Sequence, residues 1–211
     1  MAHTRVNTFG VVLLAAGASR RMGTCKLLLP WGKKTVLTHL LEQWRTLRVA
    51  QIAPVVDASN RMLKSALVDN KFSSDAWIEN SFPERGMFSS LQEASRWRGW
   101  RSRLTHWIIA LGDQPHIEIS TLRLLLKVSQ QNPTRICQPL FGNFAAHPLI
   151  LPKHHFLSLA ESCAEDLRTF IRNHEQLRLR IPVNDPSVAA DLDTPAEYAH
   201  WHDSAALPAS R

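Results

Sequence analysis

The sequence predicts an α/β protein with one doubly wound, mostly parallel sheet and helices on both of its faces. Short apolar runs alternate with stretches in which apolar residues recur every three or four positions, as strands and amphipathic helices do. Residues 9–15 form a continuous apolar run, which is typical of a strand buried on both faces of a parallel sheet. Since no segment is rich enough in Gly, Ser or Pro to act as a linker, we expect a single domain over residues 1–211, with its core at about residues 8–202 and a tail at 203–211.

The elements of the first half follow from changes in this periodicity. Thr35 is the expected N-cap of a helix, because apolar residues then recur at helical spacing at Val36, Leu37, Leu40, Leu41, Trp44 and Leu47. Further strands are expected at 51–56, 76–79 and 106–111, and helices at 60–68 and 89–98.

The second half continues the alternation. Helices are expected at 120–129, near 155–160 and at 165–174, and extended segments at 135–139, 147–151 and 177–182. A last helix begins at Pro195, with Thr194 as its cap. Ligands of such sheets bind beyond the carboxyl ends of the strands. The residues that follow the strands are Ala15-Ala16-Gly17, Asp57, Asn80, Gly112-Asp113 and Asp191-Leu192-Asp193.

Composition excludes several classes of protein. The apolar stretches are too short for a membrane span, so we expect no membrane association. The three cysteines, Cys25, Cys137 and Cys163, are isolated, which argues against a disulfide framework or a zinc site and favours a cytoplasmic location. The net charge of +7 favours polyanionic partners, either phosphorylated small molecules or nucleic acid.

Arginines and tryptophans alternate at 96–103. This run could grip single-stranded nucleic acid by stacking. A solvated helix end whose tryptophans pack inward is the preferred interpretation, since charge runs are usually solvated, and we expect no nucleic-acid partner.

The loop after the first strand has the features of an anion-binding turn. It is neither a Walker A motif nor GxGxxG, and it lacks the closing glycine of a nucleophile elbow. Small residues around Gly17 would let backbone N–H groups approach an anion, while Arg21 and Lys26 supply positive charge. The alternative is a tight turn with exposed basic residues.

Two acidic motifs, GDQP and DLDTP, are candidates for binding a metal ion. Asp113 directly follows an apolar strand, where a carboxylate could hold Mg²⁺ against the phosphates of a substrate. Either Asp191 or Asp193 could supply the second carboxylate. Helix capping is the competing interpretation, for Asp113 and also for Asp193 in front of the last helix.

Five segments resemble the nucleotidyltransferases that attach a nucleotide to molybdopterin. LLAAGASRRMGTCKLLLPWG is similar to the family signature LxxGxSxRMGxxK followed by PxxG. The segments NSFPERGMFSSL, GDQP, HPLIL and DLDTPAEY follow in family order, so the resemblance runs from Leu14 to Tyr198. Ala15-Ala16 is similar to the cytidylyltransferase branch, whereas guanylyltransferase relatives usually carry two glycines there.

The resemblance implies the Rossmann-like nucleotidyltransferase fold and the transfer of CMP from CTP to the terminal phosphate of molybdopterin or the molybdenum cofactor, with release of pyrophosphate. It implies Arg21, Lys26 and Asp113 as catalytic residues, and Mg²⁺ held by Asp113 and Asp193. The implied nucleotide-binding residues are Leu14, Ala15, Ala16, Gly17, Arg21, Lys26, Asn80, Ser90 and Asp113. His147 and Arg168 are the candidates for contact with the acceptor.

Two departures from the family pattern lie where the acceptor would bind. Ala145-Ala146 replaces a common Arg-Gly pair, and CAEDLR keeps only Arg168 of a segment rich in Gly and Asp. The alternatives are therefore a guanylyl- or sugar-phosphate nucleotidyltransferase on the same fold, or a non-catalytic protein that holds nucleotide or cofactor for a molybdenum hydroxylase. A molybdenum hydroxylase or its chaperone is also a possible partner.

Overall fold

The computed structural model describes residues 8–17 and 22–206, with side chains up to residue 202. These residues form ten strands and seven α-helices. The strands are β1 (Phe9–Leu14), β2 (Pro30–Trp31), β3 (Lys34–Thr35), β4 (Gln51–Asp57), β5 (Ile78–Asn80), β6 (His106–Leu111), β7 (Ile136–Phe141), β8 (Phe144–Ala145), β9 (Leu149–Pro152) and β10 (Arg178–Pro182). The helices are α1 (Val36–Thr46), α2 (Arg61–Asp69), α3 (Met87–Arg96), α4 (Ile119–Gln131), α5 (Lys153–Ser158), α6 (Leu167–Arg172) and α7 (Pro195–Ala206).

The central sheet runs in the order β10-β7-β9-β6-β1-β4-β5, with β8 paired to the side of β7. Strand β1 lies in the middle and is parallel to both neighbours, with Val12 opposite Ala53 on one side and Ile109 on the other. Strand β9 is antiparallel to β6 and β7. The sheet is therefore mostly parallel, as the sequence predicts.

Helices cover both faces of the sheet, which confirms the predicted fold class. Side chains of β1 alternate between the two faces, because successive residues of a strand point in opposite directions. Val11 and Leu13 join one buried core with α1, α2 and α4, whereas Val12 joins a second core with α3, α5 and α6. All three of these β1 side chains are fully buried.

Most predicted elements are present, and their differences from the expected bounds have local causes. Helix α3 begins at Met87 rather than 89, because Gly86 at φ 86° ends the preceding turn. It ends at Arg96, since Trp97 turns to an extended conformation. The short hairpin β2–β3 and strand β8 were not predicted, and the expected strand 76–79 lies at Ile78–Asn80 instead.

The arginine- and tryptophan-rich run is a helix end with inward aromatic rings. Trp97 and Trp100 are half-buried and pack against the second core, and Trp100 Nε1 donates a hydrogen bond of 2.7 Å to Ala94 O. Arg98 and Arg103 are exposed. The tryptophan faces that would stack on bases are therefore used for packing. None of the helices in the described part of the chain combines the length and apolar character that a membrane span requires.

Candidate active site

A large cleft lies where the parallel strands β1, β4 and β6 end. Its volume is about 660 Å³, which is ample for a small-molecule ligand. The wall includes the backbone after β1, residues 14–17, and the loop before α3, which contributes Glu84 and Met87. Lys26 and Asp113 line the same cleft. This is the edge at which the sequence predicts a ligand.

The ends of β1 and β6 approach each other closely at this edge. Gly112 N donates a hydrogen bond of 2.9 Å to Leu14 O, and a Cβ atom added at Gly112 would lie 2.7 Å from that oxygen. Ala15 N donates to Val55 O at 2.8 Å on the other side. Only glycine fits at position 112 without a shift of the backbone that forms the floor of the cleft.

The predicted anion-binding turn is described in part. Ala15 and Ala16 are buried, while Gly17 is exposed and a Cβ atom there would meet nothing within 4 Å. Residues 18–21, and with them Arg21, lie outside the described residues. The proposed role of Arg21 therefore stays a prediction.

Lys26 brings the two predicted acidic residues together. Its Nζ atom lies 2.5 Å from Asp193 Oδ1 and 3.4 Å from Asp113 Oδ2. The Lys26 side chain is only 10% exposed, whereas Asp113 and Asp193 are 27% and 39% exposed. A nearly buried ammonium thus faces two carboxylates that remain open to solvent, although the three residues are up to 167 positions apart.

Asp193 is available for this cluster because another residue caps α7. Glu197 N donates to Thr194 Oγ1 at 3.2 Å, and Thr194 N donates back to Glu197 Oε2 at 2.7 Å, which together form a capping box. The prediction that Thr194 caps the last helix is confirmed. The capping alternative for Asp193 does not hold, since its side chain turns to Lys26.

Asp191 lies beside this cluster and has a different partner. Its Oδ1 atom accepts a hydrogen bond of 2.9 Å from Gln114 Nε2. Partial loss of solvent raises the pKa of Asp191, and the negative charges of Asp113 and Asp193 raise it further. Of the two aspartates in DLDTP, Asp193 makes the ion pair with Lys26, while Asp191 lies within electrostatic range of Lys26 and Asp113.

The cluster around Lys26 contains two carboxylates, those of Asp113 and Asp193, that could bind a cation. Within residues 8–17 and 22–206, no group of three or more His, Cys, Asp or Glu side chains could hold a metal ion. A pair of carboxylates is nevertheless what Mg²⁺ commonly uses, because it keeps several waters and binds substrate phosphates. The donor set around Asp113 and Asp193 fits such an ion.

Asn80 and Ser90 shape the loop that closes one side of the cleft. Asn80 is 1% exposed, and its Nδ2 atom donates to the hydroxyls of Ser89 and Ser90, both at 2.9 Å. Its Oδ1 atom accepts from Phe82 N at 2.9 Å. Ser90 lines the cleft, whereas Asn80 lies beneath the loop. The geometry thus gives Asn80 a supporting position under the loop, while Ser90, although largely buried, lies in the wall of the cleft.

Neither of the two candidate acceptor residues, His147 and Arg168, is among the described residues that line the cleft. His147 Nδ1 lies 3.3 Å from Ile109 O, and burial lowers the pKa of His147, with Asp113 partly offsetting this. The imidazole is therefore neutral near pH 7 and lies within electrostatic reach of Asp113. Arg168 is exposed on α6 and is not among the described residues that line the cleft.

Asp57 is a cleft residue that the sequence singles out only by its place after a strand. Its Oδ1 atom accepts from both the backbone N and the hydroxyl of Ser59, at 2.8 and 2.7 Å. It lines the cleft on the side of β4. The signal that could have identified it as a site residue is its position at the carboxyl end of β4, which it shares with Asn80 at the end of β5.

Comparison with known proteins points to one family. The family model for the MobA-like NTP transferase domain matches residues 11–178. A comparison with curated proteins found no match. Among solved structures, Rv0371c from Mycobacterium tuberculosis H37Rv is 24% identical over 94% of this chain and 99% of its own, with a TM-score of 0.69. Its complex with manganese gives 22% identity over the same shares and a TM-score of 0.64.

Two further structures share the fold. A homolog of Rv0371c from Mycobacterium sp. strain JC1 is 26% identical over 93% of this chain and 96% of its own, with a TM-score of 0.69. The molybdopterin-guanine dinucleotide biosynthesis protein A of Archaeoglobus fulgidus is 16% identical over 92% and 97%, with a TM-score of 0.66.

The match to this family model identifies a nucleotidyltransferase, and the fold agrees with it. The chain belongs to the family of MobA-like NTP transferase domains, whose model covers most of its length.

Proposed function

We propose that this nucleotidyltransferase transfers CMP from CTP to the terminal phosphate of molybdopterin or the molybdenum cofactor and releases pyrophosphate. The observation that carries the proposal is the cluster of Lys26, Asp113 and Asp193 at the cleft beyond the central strands. It combines a fixed positive charge with two carboxylates, as an in-line attack on a nucleoside triphosphate requires.

The chain's own residues supply position and charge rather than covalent chemistry. Backbone N–H groups near Gly17 would face the β- and γ-phosphates. Lys26, together with Arg21, would neutralise charge on the leaving pyrophosphate. Ser90 would contact the nucleotide, with Asn80 holding the loop that carries it. Positioning of this kind accounts for much of the rate enhancement in phosphoryl transfer.

Asp113 and Asp193 are the residues that would hold a divalent ion. Magnesium bound there would supply Lewis-acid polarisation of the α-phosphate. The acceptor needs no general base from the protein, because a phosphate monoester has a second pKa of about 6 and is largely ionised at neutral pH.

The choice of CTP over GTP rests on the two alanines after β1. Ala15 and Ala16 are both buried, so their Cβ atoms are fixed next to the cleft that they line. Side chains at these positions narrow the space for a base relative to glycine, which favours a pyrimidine over a purine. A molybdenum hydroxylase or its chaperone would receive the product.

The test is pyrophosphate release by the purified protein with Mg²⁺, molybdopterin and either CTP or GTP. We expect the rate with CTP to exceed that with GTP by at least about tenfold, which is about 1.4 kcal/mol in the transition state. Asp113→Asn should abolish transfer without unfolding the protein. Asp69→Asn, the same change on an exposed part of α2, should leave the rate unchanged.

The other outcomes each select an alternative. Faster release with GTP would identify a guanylyltransferase on the same fold. Release with CTP and a sugar phosphate, but not with molybdopterin, would replace the acceptor. A folded protein that binds CTP or molybdopterin but releases no pyrophosphate would be a non-catalytic carrier of nucleotide or cofactor.

A further inference from the structure

Two segments that are distant in the sequence are joined beside the cleft by the side chain of Gln114. This residue follows Asp113 in the loop after β6 and is 5% exposed. Its Nε2 atom lies 2.9 Å from Asp191 Oδ1 and 3.2 Å from Ala190 O, so both N–H groups of the amide have acceptors. The amide thus connects the loop after β6 to the segment that leads into α7.

Several other contacts also hold this second segment in place. Leu192 is fully buried, and its backbone N donates to Asp113 O at 3.1 Å. His116 Nε2 lies 3.1 Å from Ala190 O. Neither the loop at 112–116 nor the segment at 190–194 belongs to a strand. Asp193 itself is held by a hydrogen bond of 3.1 Å from its backbone N to Glu197 Oε2 and by its ion pair with Lys26. Gln114 adds two hydrogen bonds from one side chain to the two residues at the start of this segment.

We infer that Gln114 is a positioning residue that holds the carboxylate of Asp193 opposite Asp113, an inference that rests on the proposed function. Asp193 lies two residues beyond Asp191, so a shift of the segment at 190–193 would carry its carboxylate away from Lys26 and Asp113. Gln114 itself is not among the described residues that line the cleft, and it acts through the backbone and Asp191.

The chemistry of the contact explains why an amide is needed. The two nearer partners of Gln114 Nε2 are a carboxylate and a carbonyl, and a third acceptor, Val188 O, lies at 3.5 Å. A glutamate of the same size would place a carboxylate, which only accepts hydrogen bonds, opposite these acceptors. Buried acceptors that face each other without a donor between them lower the stability of the folded protein. Gln114→Glu therefore keeps the shape of the side chain and removes both hydrogen bonds.

The chain offers a matched control in Gln43 on α1. Gln43 Nε2 donates a hydrogen bond of 2.8 Å to Ile117 O, close to the same loop, and among the described residues it makes no hydrogen bond to the segment at 190–193. Gln43→Glu makes the same chemical change against a carbonyl. It should lower stability without moving Asp193.

The experiment uses Mn²⁺ and CTP with the full-length protein. Titration calorimetry gives the affinity for CTP without metal, and the Mn²⁺ signal in electron paramagnetic resonance gives the affinity for Mn²⁺ at saturating CTP. For Gln114→Glu we expect the affinity for Mn²⁺ to fall at least tenfold, while the affinity for CTP alone changes less than twofold. Amide hydrogen exchange at 190–193 should accelerate in this variant and not in Gln43→Glu.

Either of two results would overturn the inference: a folded Gln114→Glu protein with the wild-type affinity for Mn²⁺, or an equal loss of affinity in Gln43→Glu. If Gln114→Glu does not fold, Gln114→Met removes the donors without adding charge, and its unchanged affinity for Mn²⁺ would have the same meaning. A wild-type protein with no metal-dependent binding of CTP would contradict the proposed function instead. In that case the hydrogen exchange at 190–193 decides the inference by itself.

Discussion

Lowering the pH from 7 to 5 should destabilise this protein through His155 on α5. The residue is 3% exposed, and its Nε2 atom has no hydrogen-bond partner among the described residues. The rings of His154 and His174 lie beside it, with centroid distances of 3.7 and 4.9 Å. Burial, and then the charges of these two histidines, lower the pKa of His155 from 6.5 to about 4.

The sign and size of the effect follow from these two pKa values. Between pH 6.5 and about pH 4, His155 is protonated in the unfolded chain but stays neutral in the folded chain. The free energy of unfolding therefore decreases as the pH falls through this range. The full interval of about 2.5 pH units corresponds to about 3 kcal/mol. Since pH 5 lies about 1.5 pH units below 6.5, the free energy of unfolding should be lower by about 2 kcal/mol at that pH.

Urea unfolding of the wild type and of His155→Gln at pH 7 and pH 5 measures this loss. Burial also lowers the pKa values of His39, His106, His116 and His147, so the wild type alone does not isolate the effect. The free energy of unfolding of His155→Gln should decrease by about 2 kcal/mol less than that of the wild type. His200→Gln, which removes an exposed histidine of α7, should behave as the wild type. Equal losses in the wild type and in His155→Gln would refute the reasoning.

Three further predictions concern the cleft. Lys26→Ala should slow transfer at least about tenfold, which is about 1.4 kcal/mol, and an unchanged rate would remove Lys26 from the site. Asp193→Asn should reduce metal-dependent transfer much more than Asp191→Asn, because Asp193 makes an ion pair with Lys26 whereas Asp191 accepts a hydrogen bond from Gln114. Steady-state rates over a range of Mg²⁺ concentrations compare the two variants, and equal rates would contradict the assignment. Gly112→Ala should lower the free energy of unfolding by about 1–3 kcal/mol, since the new Cβ would lie 2.7 Å from Leu14 O. Urea unfolding measures this change, and a variant as stable as the wild type would show that the ends of β1 and β6 can move apart.

The strands of the central sheet were predictable because their residues carry a local signal. The run at 106–111 corresponds to β6 at both ends, and α1 has the predicted cap at Thr35, whose Oγ1 atom accepts from Thr38 N. Strand β9 was expected only as an extended segment. Its antiparallel place between β6 and β7 depends on contacts with residues more than ten positions away, which periodicity does not encode.

The sequence by itself determined the alternation of strands and helices and the residues at the carboxyl ends of the strands. This was possible because burial of a strand or a helix face gives apolar residues a characteristic spacing along the chain. It also contains the two acidic motifs as candidates. Only the tertiary structure decided that Asp193 makes an ion pair with Lys26, while the carboxylate of Asp191 accepts a hydrogen bond from Gln114. That choice depends on the hydrogen bonds of Gln114 and Leu192, of which the one from Gln114 to Asp191 joins residues 77 positions apart, and on the local capping box of α7. Contacts between such distant residues follow no repeat in the chain.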